Sequence, residues 1–256
     1  MSGGWVSIVG AGPGDPDLIT VKALKRIQSA DVILYDRLVN RALLENARKE
    51  TELIYVGKAP GLHSVPQEQI EDMIIHYAAR GNKVVRLKGG DPFIFGRGGE
   101  ELLSLAAQGI ACEVIPGITS ASGAAAAAGI PLTHRGVSAS FACVTGSRCH
   151  GDQPPVRWDI LSHSVDTLII YMGVSQLSFI REQLLKSGKD GETPIALIEN
   201  GTTSRQRVIT GVLQEMDKVA MNANLMNPAL IIIGEAVRVR DQIAGWAAAA
   251  EYMTVS

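Results

Sequence analysis

The sequence predicts an α/β protein of two α/β domains with mixed, largely parallel sheets. Three features carry that prediction. Short β-branched runs alternate with helix-length stretches, the pattern of strands joined by crossover helices. Glycine-rich turns follow the first and fourth of those runs, and Pro116-Gly117 interrupts the pattern before a second series begins. The expected division is residues 1–115, residues 116–246 and a tail at 247–256.

Taken in order, Trp5–Val9 reads as a buried first strand ending in Gly10-Ala-Gly-Pro-Gly-Asp15. The Thr20 hydroxyl is suited to capping a helix that runs through Ala30. Asp31–Asp36 is a second strand and Leu53–Val56 a third, followed by a Gly/Pro loop and a helix over Gln67–Arg80. Lys83–Leu87 opens onto Lys88-Gly-Gly-Asp-Pro92, Gly98–Gln108 is helical, and Ala111–Ile115 closes the first series. Small residues make a helix from Ser120 to Ala128. The second series is Ser140–Thr145, Thr167–Met172, Pro194–Glu199 and Ala229–Gly234, with Arg148–Trp158 as a long loop and Arg207–Thr210 able to pair antiparallel. Ligands of such sheets sit beyond the carboxyl ends of the strands, commonly between domains. The interdomain cleft is therefore the expected active site.

Composition excludes several function classes. The 256 residues carry 24 Lys+Arg against 26 Asp+Glu, a net charge of −2. Nucleic-acid coats and polybasic membrane patches both need a cationic excess, so neither a nucleic-acid nor a membrane partner is expected. Aromatic residues at 5% also supply few base-stacking platforms. Cys112, Cys143 and Cys149 form no CxxC pair, which fits a reducing cytoplasmic setting better than a disulfide framework. Cys143, Cys149 and His150 lack the second ligand pair of a structural zinc site, and no metal is expected. The N-terminus has neither the basic n-region nor the apolar core of a signal peptide. The weakly polar stretch from Ile118 to Leu132 carries Thr, Ser and Gly and is too short to span a bilayer.

The 27 glycines exceed the usual ~7% and cluster after strand-like runs, where a backbone must bend sharply or approach a ligand. A dinucleotide fold is the first comparison. Gly10-Ala-Gly12 follows a strand, but position 15, where the third glycine of GxGxxG belongs, holds Asp15. Pro13 also removes an amide from the turn that would cradle a pyrophosphate. No GK[ST] follows a glycine run, and there is no G-x-S-x-G elbow. An oxidoreductase therefore survives only through Asp36, placed where a ribose-binding acid could sit.

Seven segments in order carry a more specific signal. They are Gly10–Thr20, Leu87–Glu101, Val114–Ala121, Pro131-Leu-Thr-His-Arg135, Tyr171-Met-Gly173, Glu199-Asn-Gly-Thr202 and Pro228–Glu235. Together, over about Val6 to Trp246, the chain resembles the tetrapyrrole methyltransferases. It lacks the dehydrogenase/ferrochelatase domain that some relatives carry, so the stand-alone form is expected. Gly136-Val-Ser follows Thr-His-Arg where other members continue with acidic or aromatic residues.

The resemblance implies S-adenosylmethionine as methyl donor, with S-adenosylhomocysteine as product. It implies donor binding by Pro13, Gly89, Gly90, Asp91, Ile94, Thr119, Ser120, Met172, Gly201 and Ala229. The implied acceptor is a small molecule, a flexible tetrapyrrole bearing eight carboxylates and methylated at two ring carbons for sirohaem or cobalamin formation. Arg97, Glu100, Arg135 and Met172 are its expected contacts, and Arg37 and Arg148 are further loop cations. Arginine suits carboxylates because its planar fork can hold one at two points. Asp36 and Lys58 map to the family's proposed proton acceptor and donor, and Arg97 joins them as a candidate catalytic group. A homodimer is implied as well. The alternatives are the same fold acting on a later corrin precursor or an unrelated acceptor, and, in a different class, a nucleotide-binding oxidoreductase or a non-catalytic ligand-binding protein.

Overall fold

The computed structural model describes residues 4–57, 65–147 and 156–243. The expected tail at 247–256, most of the loop after Ser147, and Lys58, Arg148, Cys149 and His150 lie outside the described residues. The chain forms two compact units, Met1–Thr119 and Ser120–Ser256.

In the first unit the strands are β1 (Trp5–Gly10), β2 (Val32–Tyr35), β3 (Glu52–Tyr55), β4 (Lys83–Lys88) and β5 (Ala111–Ile115). All pair in parallel, in the order β3-β2-β4-β1-β5. Helices α1 (Val21–Ser29), α2 (Gln67–Ala79) and α3 (Gly98–Ala107) supply crossovers. Thr20 caps α1 as its sequence suggests, Oγ1 accepting from Ala23 N at 3.2 Å. Residues of a strand alternate between faces, and β4 shows the consequence. Val85 and Leu87 join the α1-side core with Val9, Ile27 and Ile33. Val84 joins the other core with Ile70, Ile74 and Leu105. Arg86 and Lys88 follow Val84 on that second face, and both are buried.

The second unit holds β6 (Phe141–Thr145), β7 (Thr167–Tyr171), β8 (Pro194–Glu199), β9 (Arg207–Val212) and β10 (Ala229–Ile233), with α4 (Ser120–Ala127), α5 (Trp158–Ser164), α6 (Leu177–Lys186) and α7 (Met216–Asn222). The sheet order is β6-β7-β10-β8-β9; β6–β7 is parallel and the other three pairings are antiparallel. Over both sheets five of eight pairings are therefore parallel. β9 pairs antiparallel with β8, as its position suggests. Ile231 and Ile233 face a core with Trp158, Leu177 and Met216. Leu230 and Ile232 face another with Ala121, Ala124 and Ala125. Both faces of β10 are covered, which explains its unbroken apolar run. One detail departs from the sequence reading: Trp158 opens α5 rather than closing a loop, because its indole is buried in the first of these cores.

Candidate active site

The turns at the carboxyl ends of β1 and β4 are joined through backbone, and the turn after β5 packs against both. Ala11 N donates to Lys88 O at 2.7 Å. Gly12 and Gly90 form an antiparallel bridge, Gly90 N to Gly12 O at 2.7 Å and Gly12 N to Gly90 O at 3.2 Å. Gly10 and Gly117 pack so closely that a Cβ on Gly117 would lie 2.3 Å from Gly90 O and 2.8 Å from Gly10 Cα. Asp91 stitches the seam, Oδ2 accepting from Gly117 N at 3.1 Å and Oδ1 from Phe93 N at 2.8 Å. Its carboxylate thus holds loops together.

Gly90 is different from its neighbours. It has φ +68°, and a Cβ there would meet nothing nearer than Thr119 Cα at 3.9 Å. A Cβ on Gly89 would instead strike Leu38 Cβ at 2.6 Å. Gly89 is needed for packing, whereas a Cβ on Gly90 would make a single ordinary contact, with Thr119 Cα. The first turn does not run straight into a helix. Asp15 caps a short 3-10 turn at Pro16–Leu18, and α1 starts only at Val21. A pyrophosphate site of the dinucleotide type requires the turn to open directly on a helix N-terminus.

Beyond the seam the loop from Asp91 to Arg97 presents Phe93, Ile94 and Phe95 to solvent. Phe95 (φ +53°) and Arg97 (φ +59°) both adopt the left-handed region, which is uncommon for non-glycine residues and concentrates at functional sites. Arg97 is the exposed N-cap of α3 and forks onto Glu100, Nε to Oε2 at 2.8 Å with Nη2 bonded to the same oxygen. Hydrogen bonding from Arg97 holds the Glu100 carboxyl below the usual carboxylate range. These two, both expected as acceptor contacts, are paired at the start of α3.

Asp36 follows β2 and is partly exposed; Oδ1 accepts from Leu38 N at 3.1 Å. Its Oδ2 lies 3.7 Å from Arg86 Nη2. Arg86 belongs to a buried group that the sequence reading passed over. Arg86 Nε, Lys88 Nζ and Gln67 Nε2 all donate to Glu101 Oε1, at 3.2, 2.8 and 3.1 Å. Burial and the neighbouring Arg86 charge push the Lys88 ammonium pKa down, while Glu101 acts against them. The available signal was two cations at alternate positions of a strand whose third same-face residue, Val84, is apolar.

In the second unit, Met172 (φ +53°) and Asn200 (φ +49°) turn the ends of β7 and β8, and the Met172 side chain is half exposed. Gly201 is a packing glycine, since its Cβ would lie 2.4 Å from Ala124 Cβ. Ser120 opens α4, whose Ala121 N donates to Tyr171 Oη at 2.7 Å, so the start of α4 is tied one residue before Met172. Ala229 is opposite Glu199 in the β10–β8 register. Glu199 is buried; Oε2 accepts from Arg207 Nη2 at 2.8 Å and Met226 N at 3.0 Å, fixing the segment that enters β10. Arg135 is exposed on a turn closed by a His134–Ser138 bridge.

A parallel and a mixed sheet, with a glycine seam and left-handed turns at strand ends, make a fold shared with solved methyltransferases. The chain belongs to the tetrapyrrole (corrin/porphyrin) methylase family, whose profile matches residues 6–217. It is similar to the uroporphyrinogen-III C-methyltransferase of Priestia megaterium, 55% identical over 234 residues that cover 91% of this chain and 98% of that one. It is 52% identical over 241 residues to siroheme synthase 2 of Aeromonas hydrophila subsp. hydrophila, covering 94% of this chain but only about half, 51%, of that longer protein. Among solved structures, the uroporphyrin-III C-methyl transferase of Thermus thermophilus complexed with S-adenyl homocysteine matches with TM-score 0.78 and 40% identity, covering 91% of this chain and 93% of that one.

Proposed function

We propose that this chain is an S-adenosylmethionine-dependent C-methyltransferase. It methylates uroporphyrinogen III at C2 and C7, giving precorrin-2 through precorrin-1 for sirohaem or cobalamin formation. The observation that carries the reading is the bare backbone of Gly90, held by the Gly12 bridge, with Thr119 Cα as its one neighbour on the side where a Cβ would stand. A cradle of that kind suits a ligand that approaches main chain closely. A relative of nearly equal length with the same activity in its name supports the choice of acceptor.

The donor supplies a methyl group on a sulfonium, electrophilic toward an electron-rich pyrrole carbon. Pro13, Gly89, Gly90, Asp91, Ile94, Thr119, Ser120, Met172, Gly201 and Ala229 are assigned to holding it. Gly89, Asp91 and Gly201 serve by shaping the backbone, because their atoms are spent on packing or loop bonds. Arg97, Glu100, Arg135 and Met172 are assigned to the acceptor. Arg97 is oriented by Glu100, which presents its guanidinium for an acceptor carboxylate. Orientation supplies much of the acceleration in such a transfer. Alkylation leaves a proton to be removed; Asp36 is assigned as its acceptor and Lys58 as the proton donor, and such help is worth roughly 10²–10⁴-fold.

No described helix is long and apolar enough to cross a membrane; we assign the enzyme to the cytoplasm and to a homodimer. The activity is tested with donor labelled in its methyl group. Label should pass to uroporphyrinogen III, and donor binding without transfer would overturn the choice of acceptor. Sedimentation at micromolar concentration should give a dimer, and a monomer would refute that assignment.

A further inference from the structure

We propose that Glu101 is a positioning residue for proton removal. It gathers Arg86 and Lys88 on one carboxylate oxygen, and Arg86 in turn sets the place of the Asp36 carboxylate. The inference rests on the reading of Asp36 as proton acceptor.

Burial comes first. Glu101 is fully buried, and Arg86 and Lys88 are 4% exposed. Oε1 of Glu101 accepts from three side chains, while its Oε2 has no hydrogen-bond partner among the described residues. An unpartnered buried carboxylate oxygen is costly, and a buried ion group is commonly no more stable than apolar side chains of similar volume. The surrounding face is apolar: Val84, Leu34, Ile74 and Leu105 pack there. Stability alone therefore gives no reason to place three charges here.

Placement supplies the reason. The charges sit at the carboxyl end of β4, beside the end of β2 that carries Asp36. Arg86 is fixed on both sides, with Nε on Glu101 and Nη1 donating to Leu87 O at 3.1 Å. Its free arm, Nη2, is thereby directed to Asp36 Oδ2 at 3.7 Å. The other Asp36 oxygen accepts from Leu38 N, and the Leu38 side chain lies over Gly89. The carboxylate is thus registered both to the buried cations and to the glycine loop. Without the Glu101 charge, Arg86 and Lys88 would repel each other at close range, and Arg86 would lose the contact that aims it.

The test compares Glu101→Gln, Asp36→Asn and the double variant, each shown folded by circular dichroism. Glu101→Gln should lower kcat roughly tenfold or more, with KM for both substrates and affinity for S-adenosylhomocysteine unchanged. In the Asp36→Asn background, where kcat is already low, it should add little, because residues acting through one group are non-additive. Glu101→Asp should recover part of the rate. Should Glu101→Gln fail to fold, the apolar replacement Arg86→Met, Lys88→Met, Glu101→Leu takes its place; it should fold and lose turnover to the level of Asp36→Asn. Near wild-type kcat in a folded Glu101 or apolar variant, or fully additive losses with Asp36→Asn, overturns the proposal while the role of Asp36 stands. Near wild-type kcat in Asp36→Asn removes the role of Asp36 itself, and the proposal with it.

Discussion

Replacing Gly90 by alanine separates backbone strain from donor binding. The native φ of +68° lies in the left-handed region, and a Cβ would stand 3.9 Å from its nearest neighbour, Thr119 Cα. The protein would thus have room for the methyl group, and the stability cost is that of the conformation alone, about 1–2 kcal/mol. At roughly 2–4 °C per kcal/mol for a chain of this order, Tm should fall by about 2–8 °C. The methyl group would project into the space assigned to the donor. Overfilling a packed site costs about 1–3 kcal/mol, or roughly five- to over a hundredfold in affinity. Gly109 supplies the control: φ is +66° and nothing lies within 4 Å of its Cβ position. Gly109→Ala should therefore show the same loss of Tm with native donor affinity. Gly117→Ala should be worse for the fold than either, because its Cβ would lie 2.3 Å from Gly90 O. Calorimetric titration with S-adenosylhomocysteine, paired with thermal melts, reads both quantities. Equal donor affinity in Gly90→Ala and Gly109→Ala would refute the assignment of Gly90.

Arg97→Ala should keep donor affinity and fold, since the exposed pair with Glu100 contributes little stability, while turnover on uroporphyrinogen III falls by roughly ten- to over a hundredfold for a lost charge-assisted bond; Arg97→Lys should recover little without the planar fork. Steady-state rates alongside calorimetry check both. Burial alone would raise the Glu113 carboxyl, but hydrogen bonds from Arg26, Lys22 and Ser7 bring it down to about 2. Its stabilisation is therefore complete above the unfolded carboxylate pKa near 4.5 and lost as pH falls toward 2. Glu113→Gln should cost about 1–2 kcal/mol at pH 7, allowing for solvent around Lys22 and Arg26, and should flatten the acid limb of denaturation curves between those pH values. Glu199→Gln weakens the bond to Arg207 and gives the donating Met226 N–H a weaker, uncharged oxygen to bond; urea melts should show lower stability, and donor titration a weaker affinity through the segment entering β10.

Much of this site was legible in the chain because its parts are local. Gly10–Asp15, Lys88–Pro92 and Pro116-Gly117 each mark a strand end by composition, and the parallel order β4-β1-β5 brings those ends together. Thr20 marked the start of the first helix well past the glycine turn, and the 3-10 turn at Pro16–Leu18 does intervene before α1. What each glycine is for was not legible. Gly89, Gly90 and Gly201 look alike in sequence, yet two are dictated by Leu38 and Ala124, residues far along the chain, and only Gly90 of the three has room for a Cβ. The Arg86–Glu101–Lys88 group was hidden for a similar reason. Its members belong to a strand and a helix, and their meeting depends on how α3 packs on β4. Helix α5 has no clear mark in the sequence because a Pro-rich polar stretch precedes Trp158 and its burial is a tertiary effect.

Methylation of one defined acceptor is read from the mass of the product. The protein is incubated anaerobically with S-adenosylmethionine and uroporphyrinogen III, and the tetrapyrrole is analysed by mass spectrometry over time. A transient species with one added methyl group should appear and give way to a product with two. An unchanged tetrapyrrole, under conditions where calorimetry shows the donor bound, would contradict the proposed methylation.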